Sequence, residues 1–333
     1  MKRWTRIFLF VLMLSAVFVW VEVAKRPTAD EADKSVRLYF FDVGQGDSEM
    51  ISMGTYQILI DGGPDDTILS EIGKAMPATD RKIEAIILTH PHADHLVGLN
   101  QILDRYEIGK IYYSGVDYGS NIYKEFLEKI KAKNIALEIP EVGSKINPFP
   151  DGELEFIWPG KKYAGQKASA DLNDTSQVVR FCYFTHCAFF TGDIETGEQK
   201  EMFDYYFSIR QPAEGSSPPS DLAGESNNTL ESELLKISHH GSSNGTNQAL
   251  LDNIKPKIAV FPVGAENNYG HPHAGVLDLL QKANIGQYRT DQDGTVEFAM
   301  SQEGIVKKWV SLKKSPYEAR LKMIKIVFRN PKH

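Results

Sequence analysis

Short apolar segments separated by glycine-rich turns begin near residue 35. The stretch VRLYFFDVGQGDSEMISMGTYQILIDGG predicts three strands broken by turns. Two later segments, IEAIILTH (83–90) and KIAVFPVG (257–264), are almost continuously apolar, which is typical of strands covered on both faces. The same pattern predicts further strands at 153–158, 176–184 and 187–191.

Segments with helical periodicity alternate with these strands. Helices are predicted at 96–106, at NIYKEFLEKIKAKN, near 195–207 and at AGVLDLLQKAN. The chain contains no long internal repeat. Alternating strands and helices therefore predict an α/β fold in which the helices lie outside packed sheets.

The first 34 residues have a different pattern. Lys2, Arg3 and Arg6 precede the uncharged run IFLFVLMLSAVFVWV, and a polar linker follows near residues 27–34. A basic flank before such a run predicts a signal peptide or a single membrane anchor. Because no small-x-small cleavage site follows, we favour an uncleaved anchor, with a removed signal as the alternative. Either interpretation predicts an extracytoplasmic protein, membrane-anchored or secreted.

Two further segments lack a globular pattern. Residues 210–229 are rich in Pro, Ser, Gly and Asn, which predicts a flexible insertion, with a lid over a site as the alternative. Residues 313–333 form a basic tail with seven Lys or Arg against one Glu. This tail is suited to a nucleic-acid backbone or to anionic lipid, and a solvated extension is the plainer interpretation.

Composition and charge narrow the class of protein. The chain has 333 residues, 42% of them hydrophobic, and a net charge of -7, so a broadly basic nucleic-acid-binding surface is excluded and any polyanion must be held locally. The only cysteines, Cys182 and Cys187, exclude a cysteine zinc site. They lie in a predicted hairpin, where they are either a disulfide or, as we favour, two unrelated apolar residues.

The segment THPHADHLVG (89–98) carries the clearest chemistry. His90, His92, Asp94 and His95 directly follow a predicted buried strand, at the sheet edge where α/β proteins place their sites. His90 and His92 can converge on one cation while Asp94 and His95 reach a second. Imidazole and carboxylate are ligands of zinc and of harder cations. Because crowding such groups without a partner is costly, the segment predicts a metal site.

This segment and several others resemble one family. HPHADHLVG after IILT is similar to the signature of the metallo-β-lactamase fold. The order FDVGQGDS, LIDGG, FFTGDIE, LKISHHGSS, NNYGHPH and YRTDQDGTV resembles the C-terminal metallo-hydrolase domain of the ComEC competence proteins. The resemblance covers roughly 36–312. It implies a four-layer αββα sandwich of the metallo-β-lactamase fold, a domain at 35–312 and two divalent metal ions.

The resemblance also implies roles for later residues. Asp193 would be the carboxylate shared by both metals, and Asp61 would steady the ligand histidines. One more histidine should bind the second metal and another should donate a proton. His271 is the favoured ligand, while His239 or His240 would be ligand or proton donor.

One segment departs from the broader fold. Where many members supply a further histidine to the first metal, LNDTSQVVRF offers Asn173 and Ser176 as substrate or supporting groups. A harder and more open shell makes manganese an alternative to zinc. Nearby, Gly241, Ser242 and Ser243 offer donors suited to a phosphate, although ordinary turn formation explains them equally well.

The resemblance implies an extracytoplasmic hydrolase in which Asp94 orients a metal-activated hydroxide against a phosphodiester, with DNA as the favoured substrate. The membrane, through the N-terminal segment, is the other partner expected. Hydrolysis of a teichoic-acid phosphoester, a nucleotide, a lactone, a thioester or a β-lactam is the alternative. A module that holds metal without catalysis is a third hypothesis.

Overall fold

The computed structural model describes residues 35–168, 172–210 and 229–308, together with the single residue Met13. The predicted tail, most of the predicted insertion, and the predicted anchor and linker apart from Met13 lie outside these residues. The chain divides into the units Met1–Ser35 and Val36–His333, and every strand and helix named below belongs to the second. Among the described residues, no helix has the length and apolar character needed to cross a bilayer.

The second unit contains fifteen described strands and seven described helices. The strands are β1 Val36–Phe40, β2 Glu49–Met53, β3 Tyr56–Ile60, β4 Lys82–Ile87, β5 Glu107–Tyr112, β6 Ala136–Glu138, β7 Lys145–Phe149, β8 Gly152–Trp158, β9 Val178–Tyr183, β10 His186–Phe190, β11 Leu234–Lys236, β12 Ile258–Phe261, β13 Gly286–Arg289, β14 Val296–Ser301 and β15 Gly304–Lys308. The helices are α1 Thr67–Ala75, α2 Ala93–Arg105, α3 Asn121–Ala132, α4 Thr196–Ser208, α5 Gln248–Ile254, α6 Ala274–Lys282 and α7 Thr290–Asp293.

The strands form two mixed sheets. The first has the order β15-β14-β1-β2-β3-β4-β5-β6, and the second has the order β13-β12-β11-β10-β9-β8-β7. Strands β3 to β6 are parallel in the first sheet, and β10 to β13 are parallel in the second. The carboxyl ends of parallel strands meet at one edge of a sheet, which is where α/β folds build sites.

Three apolar clusters define the layers. The middle cluster lies between the sheets and includes the stacked rings of Phe40 and Phe190, whose centroids are 5.9 Å apart. An outer cluster covers the first sheet with α1, α2 and α3, and another covers the second sheet with α4, α5 and α6. This arrangement confirms the predicted αββα sandwich of the metallo-β-lactamase fold.

Strand β4 shows why its sequence is almost continuously apolar. From Ala85 onward the side chains alternate, because Ile86 belongs to the outer cluster whereas Ala85 and Ile87 belong to the middle cluster. Side chains of successive strand residues point to opposite faces, so a strand covered on both sides needs apolar residues at every position. The prediction of a doubly covered strand is confirmed.

The hairpin formed by β9 and β10 corrects one expectation. Cys182 and Cys187 are cross-strand partners and form a disulfide, instead of being two unrelated apolar residues. The loop contains only Phe184 and Thr185, which fixes the register and brings the two cysteines opposite each other. The disulfide closes the end of the hairpin that is farther from Asp193.

Candidate metal centre

The loop after β4 carries the first group of predicted ligands. Helix α2 begins at Ala93, three residues before the predicted start, so Asp94 and His95 lie in its first turn. A negative side chain in the first turn is favourable because the helix dipole is positive there. A Cβ atom at Gly98 would lie 1.9 Å from the Gly62 carbonyl oxygen, so glycine lets α2 pack closely against the loop after β3.

Asp61 orients the rings of this loop. It is fully buried, and its carboxylate accepts hydrogen bonds from the Thr89 backbone N–H at 2.8 Å and from the Thr89 hydroxyl at 2.6 Å. His95 Nδ1 lies 2.7 Å from Asp61 Oδ2 and donates to it. His90 Nδ1 lies 3.0 Å from Thr89 Oγ1. With both Nδ1 atoms engaged, Nε2 of each ring is free to act as a ligand.

The loop after β11 uses an unusual backbone. His239 and His240 have φ angles of 51° and 54°, and Gly241 follows with a φ of 86°. Left-handed conformation is uncommon for histidine and tends to occur at functional sites. This backbone places His240 Nδ1 2.8 Å from the Pro262 carbonyl oxygen, to which it donates. His240 Nε2 therefore points into the cluster.

The ligand atoms from both sheets converge. His90 Nε2 lies 2.9 Å from His92 Nδ1, and His95 Nε2 lies 3.2 Å from Asp193 Oδ2. His240 Nε2 lies 3.4 Å from both Asp193 Oδ2 and Asp94 Oδ2. Among the described residues, four groups have ligand atoms within 4.8 Å of one another, and two of them share His95: His90, His95 and Asp193, and Asp94, His95 and His240.

The donor set fits metal ions on chemical grounds. The Nε2 atom of the buried His240 has no hydrogen-bond partner among the described residues, and because Nδ1 is engaged, Nε2 is the atom that would bind a metal ion in exchange for its proton. Nitrogen and carboxylate ligands suit zinc and manganese. His90, His92 and Asp193 would hold one ion, and Asp94, His95, His240 and Asp193 the other.

The centre is rich in buried negative charge. The carboxyl groups of Asp47, Asp61 and Asp193 are buried there, and Lys236 is the one lysine that is buried among the described residues, whereas burial raises the pKa of the neighbouring Glu49 well above its usual value. Unpaired buried carboxylates are costly, so such a cluster favours cations.

The pKa values of the site groups follow this charge balance. Burial alone would lower the pKa of His95, but Asp193 and Asp61 raise it well above its usual value. Burial likewise opposes charge on His240, whose pKa is raised by Asp193 and Asp47. Burial would raise the pKa of Asp193, yet His240, His95 and Lys236 hold it well below its ordinary value. The site therefore keeps Asp193 ionised and attracts positive charge.

Sequence reasoning missed Lys236. The last residue of β11, it contacts Asp47, donates to the Gly192 carbonyl oxygen at 2.7 Å and lies 3.4 Å from Asp193 Oδ1. It thus occupies one Asp193 oxygen and leaves Oδ2 facing the histidines. The sequence signal for this role is a lysine at the end of a short apolar strand.

Asp47 belongs to the FDVGQGDS motif, and the sequence predicted no role for it in the centre. It is buried and lies 3.1 Å from His240 Nδ1 as well as against Lys236. Its backbone N–H donates to the Asp94 carbonyl oxygen at 3.2 Å. A Cβ atom at Gly46 would lie 2.2 Å from that same oxygen, so glycine permits this close approach.

His271 is not placed as the sequence favoured. Its ring is 6.4 Å from that of His240, and it belongs to neither group of converging ligands. The structure brings His240, and not His271, to the converging atoms, because the left-handed backbone turns His240 inward, and the ligand role of His271 stays a prediction. Burial and the neighbouring His240 and His239 lower the pKa of His271 to about 4.

Some of the remaining predicted residues lie beside the centre, and others lie outside the lining of its cavity. Ser176 is buried against the centre, and its Oγ accepts a hydrogen bond from the Asp193 backbone N–H at 3.1 Å. Asn173 donates to Glu195 at 3.2 Å, and His239 Nδ1 lies 3.3 Å from the same carboxylate. Ser242 is buried and Ser243 is exposed, and neither lines the cavity at the centre.

An open cavity of about 260 Å³ leads to the converging ligands. Its lining includes Gln45, His92, Asp94, Asp193, His240 and His271. A larger cavity of about 600 Å³ lies beside α1 and the end of α2, and its lining contains no histidine and no carboxylate. The smaller cavity is therefore the one that combines access with metal-binding chemistry.

The sequence of residues 42–264 matches the metallo-beta-lactamase superfamily, and the chain therefore belongs to this superfamily of metal-dependent hydrolases. Members typically bind two divalent metal ions, and the His and Asp clusters described above are candidate positions for them. The family resemblance seen in the sequence motifs is confirmed.

Two curated relatives are competence-associated by name. The chain is 24% identical to "ComE operon protein 3" of Bacillus subtilis over 275 residues, which is 77% of this chain and 32% of the relative. It is 25% identical to "Competence protein ComA" of Neisseria gonorrhoeae over 286 residues, or 85% of this chain and 35% of the relative. The chain thus spans about a third of the length of each. A solved structure, the metallo-beta-lactamase fold protein YhfI of Bacillus subtilis, aligns at 13% identity with a TM-score of 0.44, covering 77% of this chain and 96% of that one.

Proposed function

We propose that this protein is an extracytoplasmic, dinuclear metal-dependent phosphodiesterase, with DNA as the favoured substrate. The observation that carries the proposal is the convergence of histidine nitrogens, Asp94 and Asp193 at the floor of an open cavity. The likeness to competence proteins supports DNA as the substrate. The basic, apolar N-terminal segment supports an extracytoplasmic position, anchored or secreted.

Each described residue has a task that its position suits. When bound, the metal pair supplies a hydroxide at neutral pH and stabilises the attacking and leaving oxygens. Asp94, whose side chain is 35% exposed, can accept a proton from the attacking water and orient it. His239 faces the cavity beside Glu195, and it is the group we assign to protonate the leaving oxygen.

Zinc is the favoured metal, and manganese is the alternative. The first metal would lack a histidine that many members supply, and Ser176 lies in that region instead. An open shell with few nitrogen ligands suits a harder ion. We also propose that residues 1–34 are a signal peptide or membrane anchor with its linker and that residues 35–312 are the hydrolase domain, which includes an insertion at 210–229. Residues 313–333 would be a basic tail.

Other esters remain the alternative substrates, because this chemistry also opens lactones, thioesters and β-lactams. The test uses the full-length protein in detergent, loaded with zinc or manganese. Single-stranded DNA, duplex DNA and bis-p-nitrophenyl phosphate are offered beside a lactone and a thioester. We expect metal-dependent cleavage of the phosphodiesters, and we expect Asp193→Ala to reduce it below detection. Turnover of the lactone or thioester alone would contradict the proposal.

A further inference from the structure

An exposed aromatic ring stands at the opening of the cavity. Tyr269 lines the cavity and is 68% exposed, the highest exposure among the large apolar side chains described in the second unit. Its ring centroid is 5.6 Å from that of His271, with only 25° between the planes. The ring of His271 is in turn 6.4 Å from that of His240, at 27°. Three nearly parallel rings therefore lead from the ligand cluster to solvent.

The loop that carries Tyr269 is held in place by side-chain hydrogen bonds. Asn267 donates to the carbonyl oxygens of Gly264 and His271, each at 2.8 Å, and accepts from the His271 backbone N–H at 2.9 Å. Gln45 also lines the cavity, and its side chain accepts from the Gly264 backbone N–H at 3.1 Å. A ligand that contacts Tyr269 therefore meets a preordered loop, which reduces the entropy cost of binding.

Beside this ring the cavity also offers polar side chains. Gln45 and His271 line it, and both residues are partly exposed. The rim thus combines a flat aromatic face with polar groups. An aromatic face next to a polar contact is the usual arrangement for binding an unpaired base, because every base has a π face.

We propose that Tyr269 is a stacking platform for a planar ring next to the scissile phosphodiester, so that the site selects nucleotidyl esters over polyol phosphates. This inference rests on the proposed phosphodiesterase function and names its substrate class. The ring, and not the hydroxyl, carries the effect. A phenylalanine or tryptophan at position 269 should therefore preserve the selectivity, and an alanine should remove it.

The test compares two diesters, dithymidine phosphate and diglycerol phosphate, followed by phosphorus NMR with the metal-loaded full-length protein. We expect Tyr269→Ala to lower kcat/KM for dithymidine phosphate about tenfold and to leave that for diglycerol phosphate unchanged. Tyr269→Trp should retain the wild-type ratio. Tyr205→Ala removes another exposed aromatic ring, on α4 and outside the cavity lining, and should change neither value.

A binding measurement separates this inference from the function on which it rests. Calorimetry on the same proteins compares thymidine 5′-monophosphate with methyl phosphate, and Tyr269→Ala should weaken only the nucleotide. If the wild type cleaves neither diester, the proposed function fails, and the calorimetry still decides the role of Tyr269. Equal effects of Tyr269→Ala on the affinities for both ligands, or no effect on either affinity, would contradict the proposal that Tyr269 is a stacking platform.

Discussion

The two sheets supply the metal centre in different ways. The first sheet contributes a dense motif at the start of α2, and buried side chains, Asp61 and Thr89, orient its rings. The second sheet contributes scattered residues, and a left-handed backbone at His239 and His240 together with the buried Lys236 positions them. The comparison teaches that one half of the site is built by local sequence and the other by long-range packing.

The largest effect should come from replacing His240, and the same replacement at His271 is its control. Asparagine tolerates a left-handed backbone, so His240→Asn removes the ligand while keeping the turn. We expect it to lose bound metal and to have no detectable hydrolysis. The matched His271→Asn should keep both metals, since His271 lies outside the converging groups. Elemental analysis and activity assays check both, and metal loss in His271→Asn alone would reverse the assignment.

A smaller effect should follow from removing the buried lysine. Lys236→Met leaves Asp47 and Asp193 without their shared cation, and breaking a buried pair costs about 3–5 kcal/mol of unfolding free energy. Because a bound metal ion also neutralises Asp193, added zinc should reduce the difference in unfolding free energy between the variant and the wild type. Denaturant unfolding with and without zinc measures this difference.

Lys257→Met is the control for this variant. Lys257 pairs with Glu233 at 2.8 Å on the same sheet, but its side chain is 75% exposed. Exposed pairs contribute at most about 1 kcal/mol, so this substitution should change stability little, with or without metal. Equal destabilisation by the two lysine variants would show that Lys236 has no special place in the centre.

The smallest effect on the centre should come from removing the disulfide at the amino-terminal end of β10. The disulfide of Cys182 and Cys187 closes a loop with a sequence separation of 5, so replacing both cysteines with serine should cost about 2 kcal/mol of stability. Cys187 and Asp193 are six positions apart, and the three strand steps from Cys187 to Phe190 alone span about 10 Å. Hydrolysis by the folded variant should therefore equal that of the wild type. A large loss of kcat would contradict this separation.

The sequence could predict the first half of the centre because the information there is local. A doubly covered strand followed by closely spaced ligands places His90, His92, Asp94 and His95 at a sheet edge with no knowledge of the rest of the fold. The layered sandwich follows from the alternating elements and the family motifs. The helix start was predicted three residues late, because polar ligands in the first turn conceal its apolar period.

The second half depends on contacts that no local pattern contains. Whether His240 or His271 turns toward Asp193 is decided by backbone dihedrals and by the Pro262 carbonyl oxygen, which lies 22 positions from His240. The role of Lys236 appears only when Asp47 is brought across from the first sheet. The disulfide was underestimated for a similar reason, since its formation depends on the strand register.

The contact of His95 with Asp193 joins residues that are 98 positions apart in the chain. An unfolded polypeptide therefore offers only isolated, weak ligands, and tight metal capture has to wait until the two sheets have docked. Metal uptake is therefore a late step of folding, and the signal of a time-resolved zinc indicator would report when the two sheets have docked.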